Sequence, residues 1–493
     1  MLPALPDTFG EDLRAFLTHG LIVDPYLAGL DQEFFEYDSQ DVLAQEADQL
    51  ALTHWREPLR TQVLGASPAP LRIGRSAAHE ILISTAATIA HEWRGRVRVT
   101  IDVAAEAIQR VRRFIATRGF GALVLVYASI TFTENHSAVR HYGAIAEEDF
   151  VRGKLHRPWV RYPLDDELLA GLAASVYALE VRNGQRVVTE TAAGEVRYQE
   201  LRQLLESSGY LARRLQLISL SQFNLFSDWD AQAATIAPAG GAYRRAFTAF
   251  TGIGPGIAVL EAGCGMASQT FEGGLWDAVG PGGSIVGIDP AAGMLERAEA
   301  KAKQHRAKHV RFLRARAEDL SMFSDGVFDA AVGFAFLHFT DGPAALRELR
   351  RVTRPGGIVA VGGPCQLALD MPWFLEWFRP LLDLTHQHGA ILQPLPGRIP
   401  ASGEMRVWFA EAGLRDVVVD AFTGDWILTD PAVSVAFLIQ GLSFFQQELE
   451  LLPWQARQEL LDELQQRGAT ICARTTPEER TLHWPTEFVK GTV

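Results

Sequence analysis

The sequence predicts an α/β fold in its C-terminal half, a parallel sheet with crossover helices, preceded by a separate α+β N-terminal region. Three observations predict it. From Gly256 onward, short apolar strands alternate with helical stretches. The first of these strands runs into a glycine turn, Gly263-Cys264-Gly265. The second ends on an acid, Asp289.

The chain has 493 residues, more than one ordinary core accommodates. Apolar residues make up 48% and charged residues 21%, a globular balance. The formal net charge of −13 argues against nucleic acid as a partner, since a polyanion would be repelled at long range. Cys264, Cys365 and Cys472 are too scattered for a disulfide framework or a zinc site, and a cytoplasmic, reducing setting is expected. Asp7, Glu11 and Asp12 stand where a secretory signal would be basic. The longest apolar run, Gly121 to Ile130, is about half the ~20 residues of a membrane helix, so it reads as a buried strand and no membrane span is expected.

Residues 1–95 read as helical, with apolar spacing through Leu13, Phe16 and Leu17 and again through Leu43, Ala47 and Leu50. Residues 96–195 read as α+β. Val97 to Ile101 alternates like a strand, Ala104 to Thr117 is helical in pattern, and Ala122 to Thr131 is β-rich. Val176 to Thr191 resembles a hairpin turning at Asn183-Gly184. Residues 196–240 are expected to be connecting helices, closed by a break at Ala237 to Gly241. Residues 241–493 form the last expected domain. Its strands are Ile257–Ala262, Ser284–Ile288, Val310–Leu313, Val327–Gly333 and Ile358–Gly362; its helices are Gln269–Ala278, Ala292–Gln304 and Ala344–Val352. A sheet of this kind binds ligands at the carboxyl ends of its strands.

Glycines at 263 and 265 allow a sharp turn and a close approach to a ligand, and the start of a following helix would favour an anionic group. A dinucleotide fingerprint wants a third glycine where Ser268 stands. Asp289 is placed to accept hydrogen bonds from ribose hydroxyls; followed by Pro290, it is equally a good helix start, and both roles are compatible.

Val259 to Gly265 and Val286 to Pro290 resemble class I S-adenosylmethionine (SAM)-dependent methyltransferases, as do Ala317 to Leu320, Phe328 to Val332, Leu337 to Phe339 and Leu349 to Gly357. The pattern is most similar to the small-molecule enzymes of ubiquinone and menaquinone biosynthesis, and it spans roughly residues 240–365 in order. The resemblance implies a Rossmann-like sheet and SAM as cofactor. It implies Glu261, Gly263, Cys264 and Gly265 around the methionine part, Asp289 and Pro290 at the ribose, and Ala317 and Glu318 beside the adenine. Phe334 would lie near the sulfonium. Met294 is either an adenine contact or core. Ala267 stands where relatives often carry glycine, and Arg316 where many carry an aspartate that accepts from adenine, a role left here to Glu318 or backbone.

The methyl of SAM is already electrophilic, so alignment and exclusion of water are the main requirements. A general base is needed only where the acceptor loses a proton. His338 is the candidate catalytic base; a structural histidine closing the loop is the competing reading. His386 and His388 lack a nearby carboxylate or cysteine cluster, and no metal is expected. Cap inserts at about 364–401 and 428–481 carry the candidate substrate-pocket residues Trp373, Trp377, Phe444 and Phe445. Their aromatic character, with Phe223, Phe226, Trp229 and Tyr243 before the sheet, points to a small apolar or aromatic methyl acceptor. The competing functions are a protein or RNA methyltransferase using the N-terminal half for recognition, a SAM-binding regulatory protein without turnover, and a nicotinamide dehydrogenase. Homodimer formation, substrate capture or partner docking are the roles open to the N-terminal half.

Overall fold

The computed structural model describes residues 5–22, 36–37, 40–54, 75–94, 98–152, 176–225, 229–365, 370–388, 399–441, 445, 449 and 452–493. The chain divides into two compact units: Met1–Ile218 with His388–Gln393 and Gln446–Leu461, and Ser219–Gln387 with Pro394–Phe445 and Asp462–Val493.

The first unit is built on helices Phe9–Thr18, Gln40–His54, Arg75–Arg94, Ile101–Arg118, Phe120–Tyr142 and Ala192–Ser207. Strands β1 (Glu36–Tyr37) and β2 (Arg98–Val99) pair in parallel. Strands β3 (Ile145–Ala146), β4 (Tyr177–Arg182) and β5 (Gln185–Glu190) form an antiparallel sheet in the order β3-β5-β4. The hairpin β4–β5 turns at Asn183-Gly184, both with positive φ, as its sequence predicts.

Two strand expectations in this unit are corrected. Ala122 to Thr131 is not β-rich strand but the middle of helix Phe120–Tyr142. A short apolar run does not distinguish a buried strand from a buried helix, because neither shows an exposed face. Here the run continues well past Thr131, and almost every residue from Leu123 to Val139 is buried. Gly143, left-handed at φ 72°, stops the helix and returns its N–H to the Val139 carbonyl. Among the described residues of the Val97 to Ile101 alternation, only Arg98–Val99 form a strand, β2, because Thr100 caps the next helix by accepting from the Val103 N–H at 3.4 Å. No single helix among the described residues is long and apolar enough to cross a membrane. Ile101–Arg118 and Phe120–Tyr142 pass that test only as a pair bent by 112°.

The second unit is a seven-stranded sheet. Its strands are β6 (Ala258–Ala262), β7 (Ser284–Asp289), β8 (Val310–Arg314), β9 (Phe328–Phe334), β10 (Thr353–Pro364), β11 (Arg415–Ile427) and β12 (Thr481–Thr492), in the order β11-β12-β10-β9-β6-β7-β8. The strands from β8 to β10 are parallel, β12 runs antiparallel to β10, and β11 antiparallel to β12. The chain winds outward from β6 to β8 and then returns to β9 on the other side of β6. The strand order therefore switches at β6–β9, and sheets of this kind bind ligands at the carboxyl ends of the strands beside such a switch.

Both faces of the central strands β6, β7, β9 and β10 are covered, which is why these strands read as continuous apolar runs. Val259, Ile285, Ala330 and Ala360 pack on one face with Phe247, Leu275 and Ala298. Their neighbours Leu260, Val286, Ala331 and Val359 pack on the other with Leu346, Leu349 and Phe409. One helix departs from expectation: Gln269 to Ala278 holds only the short helix Leu275–Val279. Ala267 at φ 65°, just before the stretch, and Gly274 at φ 74°, inside it, turn the chain left-handed, so the glycine turn is followed by successive tight turns instead of a regular helix start.

Candidate functional site

The site grows from the ends of β6 and β7. Strand β6 delivers Glu261 into the interior, 1% exposed. The next residues cannot continue the strand: Gly263 (φ 62°) and Gly265 (φ 52°) are left-handed. A Cβ on Gly263 would stand 2.3 Å from that of Phe336, so only glycine fits there. Phe336 also underlies Gly333 of β9 and wedges the turn against that strand.

Asp289 ties the turn to β7. Its Oδ2 accepts from the Gly265 N–H at 3.0 Å and its Oδ1 from the Ala291 N–H at 2.8 Å. The Cys264 N–H donates to the Ile288 carbonyl at 3.0 Å. Burial pushes the Asp289 carboxyl up to about 6, while the two N–H bonds pull the other way. Each carboxylate oxygen retains a further acceptor direction. Burial, with Asp289 and Glu261 close by, raises the Cys264 thiol well above its ordinary range; the side chain is a small buried hydrophobe, not a nucleophile.

Glu261 is the most demanding group. Thr270 donates its hydroxyl to Oε2, while Oε1 is buried with no hydrogen-bond partner among the described residues. Burial pushes the carboxyl up to about 7, partly opposed by Thr270 and the positive charge of Arg244. A buried acceptor without a donor is costly, so the position is adapted to a cationic or hydrogen-bonding ligand group. These features fit the ammonium and sulfonium end of a SAM molecule.

The adenine-side candidates are placed as follows. Met294 is buried on helix Ala292–His305, its sulfur 3.9 Å from Arg297 Nη1. Ala317 is buried between Arg316 and Asp319, which form an isolated bridge. Glu318 Oε1 receives the Arg316 guanidinium at 3.0 Å and the Asp341 N–H at 3.2 Å. Arg316 therefore orients Glu318, a pairing that the sequence shows only as adjacency. Asn224 was not legible as part of the site. Its side-chain oxygen accepts from the Gly293 N–H at 2.9 Å, at the start of the helix after β7 and across 69 positions of sequence.

Phe334 ends β9 with its ring 5.4 Å from Phe247, 6.1 Å from Phe488 and 5.8 Å from the Arg244 guanidinium carbon. His338 is buried against Phe339 at 4.1 Å, and Phe339 meets Phe223 edge-on at 5.1 Å. Burial lowers the His338 imidazole to about 3, so it is neutral at physiological pH but a weak proton acceptor.

The substrate-pocket candidates separate. Trp377 is fully buried, donates its indole N–H to the Leu464 carbonyl at 2.8 Å, and leaves no room for a side chain at Gly468. It packs helix Pro372–His388 onto helix Trp454–Cys472. Trp377→Phe should lower stability by about 1–3 kcal/mol in denaturant unfolding through the lost hydrogen bond and volume, without changing cofactor affinity. Trp373 is half-buried, 6.4 Å from Trp377, and Phe445 is buried. Phe444 and Phe226 lie outside the described residues, as do the side chains of Trp229, His386 and His388.

The family described as "Methyltransferase domain" matches residues 259–357. The demethylmenaquinone methyltransferase of Bacillus pumilus is 31% identical over 179 residues, covering 34% of this chain and 75% of that protein. The chain belongs to the class I SAM-dependent methyltransferases. It does so through its C-terminal half: the enzyme of the same description from Geobacillus stearothermophilus is likewise 31% identical over 178 residues, 34% of this chain and 75% of that one. Among solved structures, the YcgJ protein from Bacillus subtilis aligns with 51% of this chain and 98% of its own, at 18% identity and a TM-score of 0.33. This methyltransferase therefore uses SAM as its cofactor, and the turn at Gly263 and the strand end at Asp289 fall in or beside the matched segment.

Proposed function

We propose that the enzyme transfers the methyl of SAM to a small, apolar or aromatic acceptor. The observation that carries the cofactor part is the pair of buried acids at the strand switch, Glu261 with a vacant acceptor atom and Asp289 clamped by backbone N–H groups. Glu261, Gly263, Cys264 and Gly265 would hold the methionine part. Asp289 and Pro290 would hold the ribose, and Met294, Ala317 and Glu318 would flank the adenine. SAM supplies the electrophilic methyl group. The chain's own work is to align the acceptor and keep water out, with Phe334 forming an apolar wall at the end of β9. The small-molecule reading is supported by the relatives, which are demethylmenaquinone methyltransferases. The apolar character is supported by the aromatic residues Phe334 and Phe339 at and after the end of β9, and by Phe223, which meets Phe339 edge-on.

His338 is better suited to closing the loop after β9 than to taking a proton, because burial keeps its imidazole so weakly basic. An acceptor that is already anionic or easily ionised suits such a site.

The test is transfer of label from methyl-labelled SAM in cell extract. Label in solvent-extractable small molecules supports the proposal. Label in protein or RNA overturns the small-acceptor reading, and binding of S-adenosylhomocysteine with no labelled product favours a regulatory role.

A pH dependence follows from Glu261. Its folded-state carboxyl, at about 7, lies above the ordinary 4.5, so the unliganded site retains a proton as pH falls below neutrality. A ligand ammonium pairs only with the ionised form. Affinity for S-adenosylhomocysteine should therefore fall about tenfold from pH 8 to pH 6 by calorimetry, and Glu261→Gln should flatten that slope.

A further inference from the structure

The first unit contains a cluster that no part of the methyl-transfer chemistry uses. His136 lies near the end of helix Phe120–Tyr142 and is fully buried. Its Nε2 faces Glu190 Oε1 at 3.3 Å and Glu195 Oε2 at 3.2 Å. The three donor atoms all lie within 4.8 Å of one another. We propose that His136, Glu190 and Glu195 bind one divalent cation of the zinc class, with the fourth position open to water.

The separations carry the argument. A tetrahedral ion with metal–ligand bonds near 2.1 Å sets its donor atoms roughly 3.4 Å apart, close to the two distances from Nε2. One imidazole nitrogen and two carboxylates suit zinc or another first-row ion better than magnesium or calcium. The surroundings hold the donors in place. His136 Nδ1 meets the Tyr177 hydroxyl at 3.1 Å, a partner that can fix the tautomer and leave Nε2 to coordinate. The ring is stacked on Tyr198 at 4.8 Å and on Phe132 at 5.5 Å. Gln199 donates to Glu195 Oε1 at 2.7 Å, leaving Oε2 turned to the cluster.

The backbone is adapted as well. Thr191 caps helix Ala192–Ser207 by accepting from the Gly194 N–H at 3.1 Å, which presents Glu195 in the first turn. A Cβ on Gly194 would stand 2.6 Å from the Val176 carbonyl and 3.4 Å from His136 Cε1, so glycine admits this close approach. The rival occupant is a proton shared by the carboxylates, with Arg140, 3.4 Å from Glu195, as counter-charge. The three ligands are separated by 54 and 5 positions, which is no recognisable metal spacing.

The test uses the full-length chain stripped with chelator and titrated with Co2+ by visible absorption, then with Zn2+ in competition. The expected result is one Co2+ per chain with the intense bands of a tetrahedral site, displaced by zinc. Glu190→Gln, at the half-exposed ligand, should weaken binding at least tenfold while circular dichroism and thermal melting stay native. Glu195→Gln is the second variant, so that one unstable protein does not decide the matter. Cobalt binding that is absent, or equally tight in a folded variant, overturns the site in favour of the shared proton.

Discussion

Gly263→Val should abolish measurable SAM binding, a loss of at least a thousandfold in affinity for S-adenosylhomocysteine by calorimetry, or about 4 kcal/mol. Two independent penalties act on the same atom. Valine would have to adopt φ 62°, where a β-branched side chain is a genuine outlier. Its Cβ would also meet Phe336 at 2.3 Å, against a side chain fixed between Gly263 and Gly333. The turn must then open, and opening it pulls the Gly265 N–H away from Asp289. Phe336→Gly in the same background removes the clashing Cβ but not the backbone strain, so it should restore binding only in part. Full recovery would show that sterics alone govern the turn. Binding unchanged in the single variant would remove the turn from the cofactor site.

The second unit was legible because its signals are local. Strands β6 to β8 alternate with helices at spacings that fit a parallel sheet, and Asp289 stands at a strand end where the fold places ligands. The strand expectation at Ala122 to Thr131 failed for a physical reason: burial on all sides removes the period that separates helix from strand. The helix expected at Gln269 to Ala278 failed because the chain turns left-handed at Ala267 before it and at Gly274 within it, which leaves only Leu275–Val279 helical. What the sequence could not show is contact at a distance. Glu261 is recognisable as a motif acid, but its vacant oxygen and its partner Thr270 emerge only once the turns after Gly265 fold back. Asn224 reaching Gly293, and Phe336 supporting the glycine turn, likewise belong to tertiary packing. The His136 cluster is the extreme case, its donors brought together by a helix end, a strand end and a capped helix start.

Asp289→Ala should reduce S-adenosylhomocysteine affinity a hundredfold or more, about 3 kcal/mol, with a folded protein. The carboxylate has two tasks, and alanine removes both. It satisfies the Gly265 and Ala291 N–H groups, which otherwise lose their acceptor at the carboxyl end of β7. It also offers remaining lone pairs to the ligand's hydroxyls. Asp289→Asn separates the tasks. Its single carbonyl oxygen can serve one N–H, and its amide group points a donor at the other, so an intermediate loss of ten- to thirtyfold is expected, roughly 1.5–2 kcal/mol. The asparagine variant also removes a group that titrates near 6. Below that pH the wild-type carboxyl is protonated and resembles the amide in charge, so the two proteins should converge in affinity at pH 5 and diverge at pH 8. A constant ratio across that range would mean that Asp289 acts through shape alone, and that its charge contributes nothing to holding the cofactor.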